Sequence, residues 1–338
     1  MSLLFIGKVI ADVECGGNQD TVLIAEDSAE SWLHHHPGKG PPILVVHGIS
    51  SNHWSWDLND ERSIAPTLQA FDMDVWFLDL RGHGCAERLR SGHRQQPSRN
   101  FDDYGQHDVS AAITHIRRET GHKRVAYIGH SMGGHVALSY VAEHGDTLLS
   151  ALVIVASPID FNDLEPYYRW AWAGAFIGSP FPILPSPMAG RLAARFQRLP
   201  FRLDSMLYAE GSLSAPIRRT MYRRIVSPVS RGENQHYRRI LNTGHLVSSD
   251  GELDYRDTLS TLTTPLLIIA GDGDMVAPPS RVHPYYDLAG SSDKTWISAG
   301  IENGFSHDYG HLDLVLGDQA PAEIHDRIGQ WLHTKIHP

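Results

Sequence analysis

Residues 124–137, R-V-A-Y-I-G-H-S-M-G-G-H-V-A, constrain the fold more tightly than any other stretch of the chain. Residues 125–128 form a short apolar strand, Gly129 and Gly133 flank a turn centred on Ser131, and a helix begins near Gly134. A strand that turns this sharply into a helix puts its central residue in a strained conformation. The chain then passes so close to itself that only small residues fit at Gly129 and Gly133. The Ser131 hydroxyl is pushed outward, next to the unpaired N-terminal amides of the helix. Among these, the N–H of Met132 points to where negative charge would form on an attacked carbonyl.

Around this unit, strands and helices alternate. Residues 42–47 (P-I-L-V-V-H), 74–80 (D-V-W-F-L-D-L), 151–156 and 265–270 (P-L-L-I-I-A) are apolar runs ended by turn residues. That is the pattern of strands covered on both faces of a parallel sheet. Residues 294–298 form a last short strand. Residues 101–120 space Val109, Ala112, Ile113 and Ile116 as a helix packed on the sheet, and residues 321–335 close the chain with Ile324, Ile328 and Leu332 on one helical face. The alternation predicts an α/β fold with a mostly parallel, doubly wound sheet. Ligands bind such sheets at the carboxyl ends of the strands. The loop H-G-I-S-S-N lies at one such end: Gly48 admits a close approach, and the N–H of Ile49 is the second candidate donor to an oxyanion. Residues 3–13 and 21–25, separated by Gly16, Gly17 and Asn18, are expected to form an antiparallel hairpin at the sheet edge.

The alternation stops over residues 157–262. This interval is too long for a loop and is expected to be a mainly helical cap inserted into a core of residues 1–156 and 263–338. It opens with Tyr167, Tyr168, Trp170, Trp172, Phe176 and Phe181, continues through prolines, and is expected to be helical at 188–199 and 217–226. Trp170 and Trp172 are the candidate substrate contacts; the alternative is that these aromatics are the cap's own core. The interval holds thirteen Arg, no Lys and ten Asp or Glu. Those arginines either favour acidic or lipid-like ligands or form solvated helix faces.

A chain of 338 residues suffices for a large domain with such an insertion, and its net charge of −10 and pI near 6.1 argue against nucleic-acid binding. No run approaches the roughly 18 apolar residues of a membrane span, so no stable membrane insertion is expected. The apolar N-terminus lacks a preceding basic region and is interrupted by Lys8, which reads as a strand rather than a secretory signal. Cys15 and Cys85 lie far apart and outside metal-ligand spacing. They are expected to be free thiols in a reducing, cytoplasmic setting. His34, His35 and His36 lead into a Pro/Gly segment and are expected in a solvated loop rather than on a metal. His83 and Cys85 are expected only to shape the turn after residues 74–80.

Two places offer partners for Ser131. The turn G-D-G-D-M-V-A-P-P after residues 265–270 holds Asp272 and Asp274. The tail I-E-N-G-F-S-H-D-Y-G-H-L-D-L-V-L-G holds His307 and His311. Spacing alone does not choose within either pair. With these residues the chain resembles the α/β-hydrolase superfamily over its length outside residues 157–262, in the chain order serine, acid, histidine. More narrowly, Y-G-H-L-D-L-V-L-G together with A-G-D-G-D-M-V-A-P-P resembles a bacterial branch related to acid lipases and polyhydroxyalkanoate synthases. That resemblance implies His311 over His307 and Asp274 over Asp272, hence a catalytic set of Ser131, Asp274 and His311. The amides of Ile49 and Met132 would form the oxyanion hole. The chain departs from the synthases, which carry cysteine where it has Ser131, and from dehalogenases and epoxide hydrolases, which carry aspartate there. The implied activity is cleavage of a small-molecule carboxylic ester, of esterase or lipase type, through an acyl-enzyme without metal or organic cofactor. The alternatives are an acyltransferase using the same acyl-enzyme and a non-catalytic binding protein on the same scaffold.

Overall fold

Every residue of the runs Pro42–Val46, Asp74–Asp79, Val125–His130 and Leu266–Gly271 is buried. Strands with no polar face can exist only where helices cover both sides of a sheet. A computed structural model, which describes residue 15 and residues 19–88, 99–162, 183–184, 186–196 and 204–337, shows that arrangement. Eight strands form the sheet: β1 (Thr21–Ile24), β2 (Glu30–His36), β3 (Pro42–Val46), β4 (Asp74–Asp79), β5 (Val125–His130), β6 (Leu149–Val155), β9 (Leu266–Gly271) and β10 (Lys294–Ala299). Their order is β1-β2-β4-β3-β5-β6-β9-β10. From β4 to β10 every neighbouring pair is parallel, while β2 runs antiparallel to both β1 and β4. The carboxyl ends of β3, β5, β6 and β9 therefore meet along one rim.

The expected helix over residues 101–120 is present with a defined start. Asn100 caps it through a reciprocal capping box with Asp103, a π-helical stretch occupies Tyr104–Val109, and regular helix runs through Ser110–Thr120. Gly105 lies inside that stretch, where an added Cβ would fall 2.6 Å from Val136 O and Tyr140 N. The two helices touch backbone to backbone there. The final helix runs through Asp326–Ile336 after a π-helical turn over Pro321–His325.

The structure corrects three expectations. β1 pairs with β2, in the register Thr21 to Leu33 through Ile24 to Glu30, so the edge hairpin uses residues 30–36 as the partner strand; residues 3–13 lie outside the described residues. The three histidines form the end of β2 rather than a solvated loop. His34 bonds Asp79 and Asp20, His35 stacks on Trp76 at 3.5 Å and reaches Asp74 at 2.7 Å, and His36 pairs with Asp57 at 2.9 Å. Polar residues can be strand residues when the neighbouring strand supplies carboxylates opposite them. Cys15 and Cys85 are joined in a disulfide across 70 residues of sequence. Sequence distance hid this pairing, because β2 carries the start of the chain back beside β4, whose turn holds Cys85. The argument from free thiols to a reducing compartment falls with them. Among the described residues no helix is long and apolar enough to cross a membrane.

Between β6 and β9 the described part of residues 157–262 holds the helices Ser186–Phe196, Ala215–Arg224, Arg231–Thr243 and Tyr255–Thr261. It also holds a two-stranded antiparallel pair, β7 (Ile183–Leu184) with β8 (Val229–Ser230), that sequence reading did not foresee.

Candidate active site

β5 ends at His130, and the next residue, Ser131, has φ 53° and ψ −118° and leads directly into the helix Met132–His144. A positive φ on a non-glycine residue is strained and persists only where its surroundings hold it. Here the Ser131 N–H donates to Val155 O of β6 at 2.8 Å, and Ser131 O accepts from Gly134 N at 3.0 Å and from Ser157 Oγ at 2.6 Å. The flanking glycines are required by contact. A Cβ on Gly129 would lie 2.6 Å from Gly133 C, and one on Gly133 would lie 2.6 Å from Val46 O. Gly48 brings the loop after β3 against the serine, since a Cβ there would sit 3.1 Å from Ser131 Cβ. Ile49 follows directly in that loop, and Met132 opens the helix, so the two candidate amide donors belong to the two segments that flank Ser131.

His311 and Asp274 are brought together: Nδ1 of the buried His311 lies 2.8 Å from Oδ2 of the buried Asp274. The other oxygen, Oδ1, accepts from the N–H groups of Val276 and Ala277 at 2.7 Å each, which fixes the carboxylate in the turn after β9. The alternatives lie elsewhere. Asp272 bonds Ser298 and Asn303, and His307 approaches Asp313 at 3.3 Å while stacking on Tyr309.

Sequence reading passed over two residues beside this constellation. His130 donates from Nε2 to His311 O at 3.0 Å, holding the histidine loop, and its ring lies 4.8 Å from that of His311. Burial, and then the neighbouring His311, push its pKa well below the usual histidine range, so it is neutral. Ser157, the first residue after Ala156, braces the Ser131 carbonyl; a Cβ on Gly134 would collide with its Oγ at 2.2 Å. Position immediately before Ser131, and at the end of the adjoining strand, was the available signal.

Residues 157–262 touch both loops at this rim. Ser227 N donates to Ser50 O at 2.9 Å, and Asn52 Nδ2 donates to Arg224 O at 2.9 Å. On the other side Leu312 N donates to Leu207 O at 2.6 Å, and Ala209 N reaches Asp313 Oδ2 at 3.2 Å. Several arginines of the interval have structural partners: Arg224 lies over the Trp54 ring at 4.5 Å, Arg218 donates to Leu213 O, and Arg256 pairs with Asp254. Trp170 and Trp172, like the rest of the aromatic cluster, lie outside the described residues.

The fold and the serine turn define an α/β-hydrolase architecture, and the comparisons agree. The chain belongs to the alpha/beta hydrolase fold family, whose characteristic sequence pattern matches residues 41–299. It is 23% identical to a poly(3-hydroxyalkanoate) polymerase subunit PhaC of Allochromatium vinosum over 96% of this chain and 90% of that one. It is 22% identical to gastric triacylglycerol lipase of Bos taurus over 87% of this chain and 80% of the lipase. A thermophilic esterase from Thermogutta terrifontis shares the fold, with a TM-score of 0.63 at 18% identity, covering 94% of this chain and 100% of the esterase. Family and relatives together support a hydrolase.

Proposed function

We propose that this protein is a serine hydrolase that cleaves carboxylic esters, with Ser131 as nucleophile, His311 as general base and Asp274 as the acid that orients it. The observation that carries this reading is the strained Ser131, braced at the head of a helix and beside Gly48, on the same rim as a buried His311–Asp274 pair 2.8 Å apart. A serine hydroxyl attacks only when a base removes its proton, and imidazole can take that proton and later give it to the leaving alcohol. Asp274 has Oδ1 already occupied by two amides, so Oδ2 accepts from Nδ1–H and leaves Nε2 of His311 to act as base. The N–H groups of Ile49 and Met132 would receive the oxyanion, each worth about 3 to 4 kcal/mol in such sites. Water then releases the acid from the acyl-enzyme, and this sequence of steps calls on no cofactor.

Residues 157–262 act in this reading as a cap over the rim, supported by their bonds to the loops at Ser50, Asn52 and Leu312. An apolar acyl or alcohol group would lie beneath it, with Trp170 and Trp172 as candidate contacts. The test is a chain-length series of p-nitrophenyl esters run on the wild type and on Ser131→Ala, with labelling by an organophosphonate. Hydrolysis and labelling that both survive in Ser131→Ala would end the proposal.

Acyl transfer is the second reading, favoured by the polymerase relative whose match spans 96% of the chain. Product analysis with an added alcohol acceptor separates the two: ester product in excess of free acid would assign transfer.

A further inference from the structure

We propose that His34, His53, Asp79 and Cys85 form a buried zinc site that becomes competent when the Cys15–Cys85 disulfide is reduced. The four side chains converge from separate elements: β2, the turn after β3, the end of β4, and the turn that follows β4. One potential ligand atom from each lies within 4.8 Å of all the others, and all four residues are buried. His53 Nδ1 is 2.9 Å and His34 Nε2 3.2 Å from the same oxygen, Asp79 Oδ2. Around a tetrahedral zinc with bonds of about 2.0 to 2.3 Å, ligand atoms stand roughly 3.3 to 3.6 Å apart. Two of the contacts are therefore already near liganding spacing, and the widest pair has to close by roughly 1 Å. Two imidazoles, a carboxylate and a thiolate are the donors zinc takes, whereas calcium and magnesium require oxygen ligands throughout.

The surroundings hold these donors in place. His34 Nδ1 lies 3.1 Å from Asp20 Oδ1, which supplies the outer carboxylate that commonly fixes the second nitrogen of a liganding imidazole. Asp79 is held by the N–H of His53 on Oδ1 at 2.7 Å and by the N–H of Cys85 on Oδ2 at 2.8 Å. In the disulfide-bonded protein these hydrogen bonds satisfy the carboxylate without any ion.

The disulfide acts as the gate through charge and through the donor set. A disulfide sulfur is uncharged and a poor ligand, so Zn²⁺ facing Asp79 alone would bury a net positive charge, which is costly. A Cys85 thiolate makes the site neutral. A dithiol supplies the change: the S–S bond breaks, two electrons and two protons pass to the two sulfurs, and the dithiol closes to its own disulfide. Metal binding then displaces two protons to solvent, that of the Cys85 thiol and the Nε2 proton of His34, whose two ring nitrogens otherwise both donate, to Asp79 and Asp20.

Zinc affinity is the readout, measured by equilibrium dialysis with metal analysis on four samples. These are the disulfide-bonded wild type, the wild type reduced with a trialkylphosphine, Cys15→Ser and Cys85→Ser. The phosphine performs the same two-electron step, becoming its oxide with the oxygen of a water whose protons go to the sulfurs. Cys15→Ser keeps all four donors with no disulfide, so it and the reduced wild type should bind about one ion per chain. The disulfide-bonded wild type and Cys85→Ser should bind at least about 100-fold more weakly, beyond the usual reach of outer-shell changes. Cobalt in Cys15→Ser should give a thiolate-to-metal charge-transfer band that Cys85→Ser lacks. Binding by the disulfide-bonded protein or by Cys85→Ser as tight as by Cys15→Ser overturns the proposal. So does failure of the reduced wild type to bind zinc while its circular dichroism and melting remain native; that sample decides the matter even if Cys15→Ser misfolds.

Discussion

In the proposed mechanism Ser131 is where local strain and chemistry coincide, and single substitutions separate the two. Ser131→Ala and His311→Ala should each lower ester turnover by about 10³-fold or more while the melting curve stays near wild type, because neither truncation opens a large cavity. Either variant retaining a tenth of the wild-type rate would remove that residue from the mechanism. Asp274→Asn should fall sharply and Asp272→Asn only mildly, since the amide at position 274 can hold the wrong tautomer of the imidazole 2.8 Å away. Comparable kcat losses in the two would break the assignment. Gly133→Ala tests the packing side. Its Cβ would press on two backbone oxygens, Val46 O at 2.6 Å and His47 O at 3.0 Å, neither of which can swing aside. The expected cost is about 1 to 3 kcal/mol, read by urea unfolding. Unchanged stability would mean that β3 and the helix can separate.

At the scale of elements, legibility in the sequence followed burial. β3, β4, β5 and β9 are buried along their whole length, so their composition alone announced them, and the sharp serine turn gave the rim of the site. Asp274 and His311 were singled out by motif rather than by spacing, since two aspartates and two histidines stood at equivalent distances. What stayed hidden was held by polar partners from distant sequence. β2 reads E-S-W-L-H-H-H, and only carboxylates distant in sequence explain why three histidines end a strand: Asp74 and Asp79 of its neighbour β4 for His35 and His34, and Asp57 for His36. The helix Arg231–Thr243 is another case, polar in sequence but anchored by a buried residue. Its Glu233 forms a capping box with Ser230 through Oε2 at 2.6 Å, while Oε1 stands 3.1 Å from His83 Nε2, close but not aligned as a hydrogen bond. Burial alone would lower the His83 pKa, but the carboxylate beside it raises it above the usual range. The pair therefore ties residues 157–262 to the turn after β4. Glu233→Ala should cost about 3 kcal/mol, near the lower end for a broken buried pair because the geometry is imperfect, and Glu233→Gln should recover about 1 kcal/mol by keeping the cap. Equal losses in the two variants, by denaturant unfolding, would assign the whole effect to the ion pair.

At the scale of the whole molecule, buried neutral histidines set the response to acid. Burial, then His83, lowers His47 to about 3; burial lowers His135 and His325 to about 4 each. Geometry supports the neutral form. His47 donates from Nδ1 to Gly48 O at 2.8 Å while its Nε2 accepts from Leu80 N at 3.3 Å, so a second ring proton would remove that acceptor. His135 and His325 donate from Nε2 to Pro158 O and Val315 O, and Nδ1 of each is buried without a partner for an added proton. The sign follows from proton counts. Below the unfolded-state pKa of about 6.5 the unfolded chain binds these protons and the folded one does not, so stability falls as pH falls. The contribution is present in full above about pH 6.5 and is lost progressively down to about pH 4. Each histidine gives about 1.4 kcal/mol per pH unit, so three together give roughly 4 kcal/mol per unit and about 8 kcal/mol over two units, comparable with a typical folding free energy of about 5 to 15 kcal/mol. Carboxylates held below their usual range add their own loss as pH falls below about 5. His130 and His236 are lowered by burial too, so urea unfolding measured in steps between about pH 7 and pH 5 should show a fall of about three protons per molecule or more. His325→Gln can still donate to Val315 O but does not titrate, so it should flatten the slope by about one proton. A wild-type slope of one proton or less, or an unchanged slope in His325→Gln, would mean that these rings take up protons without unfolding.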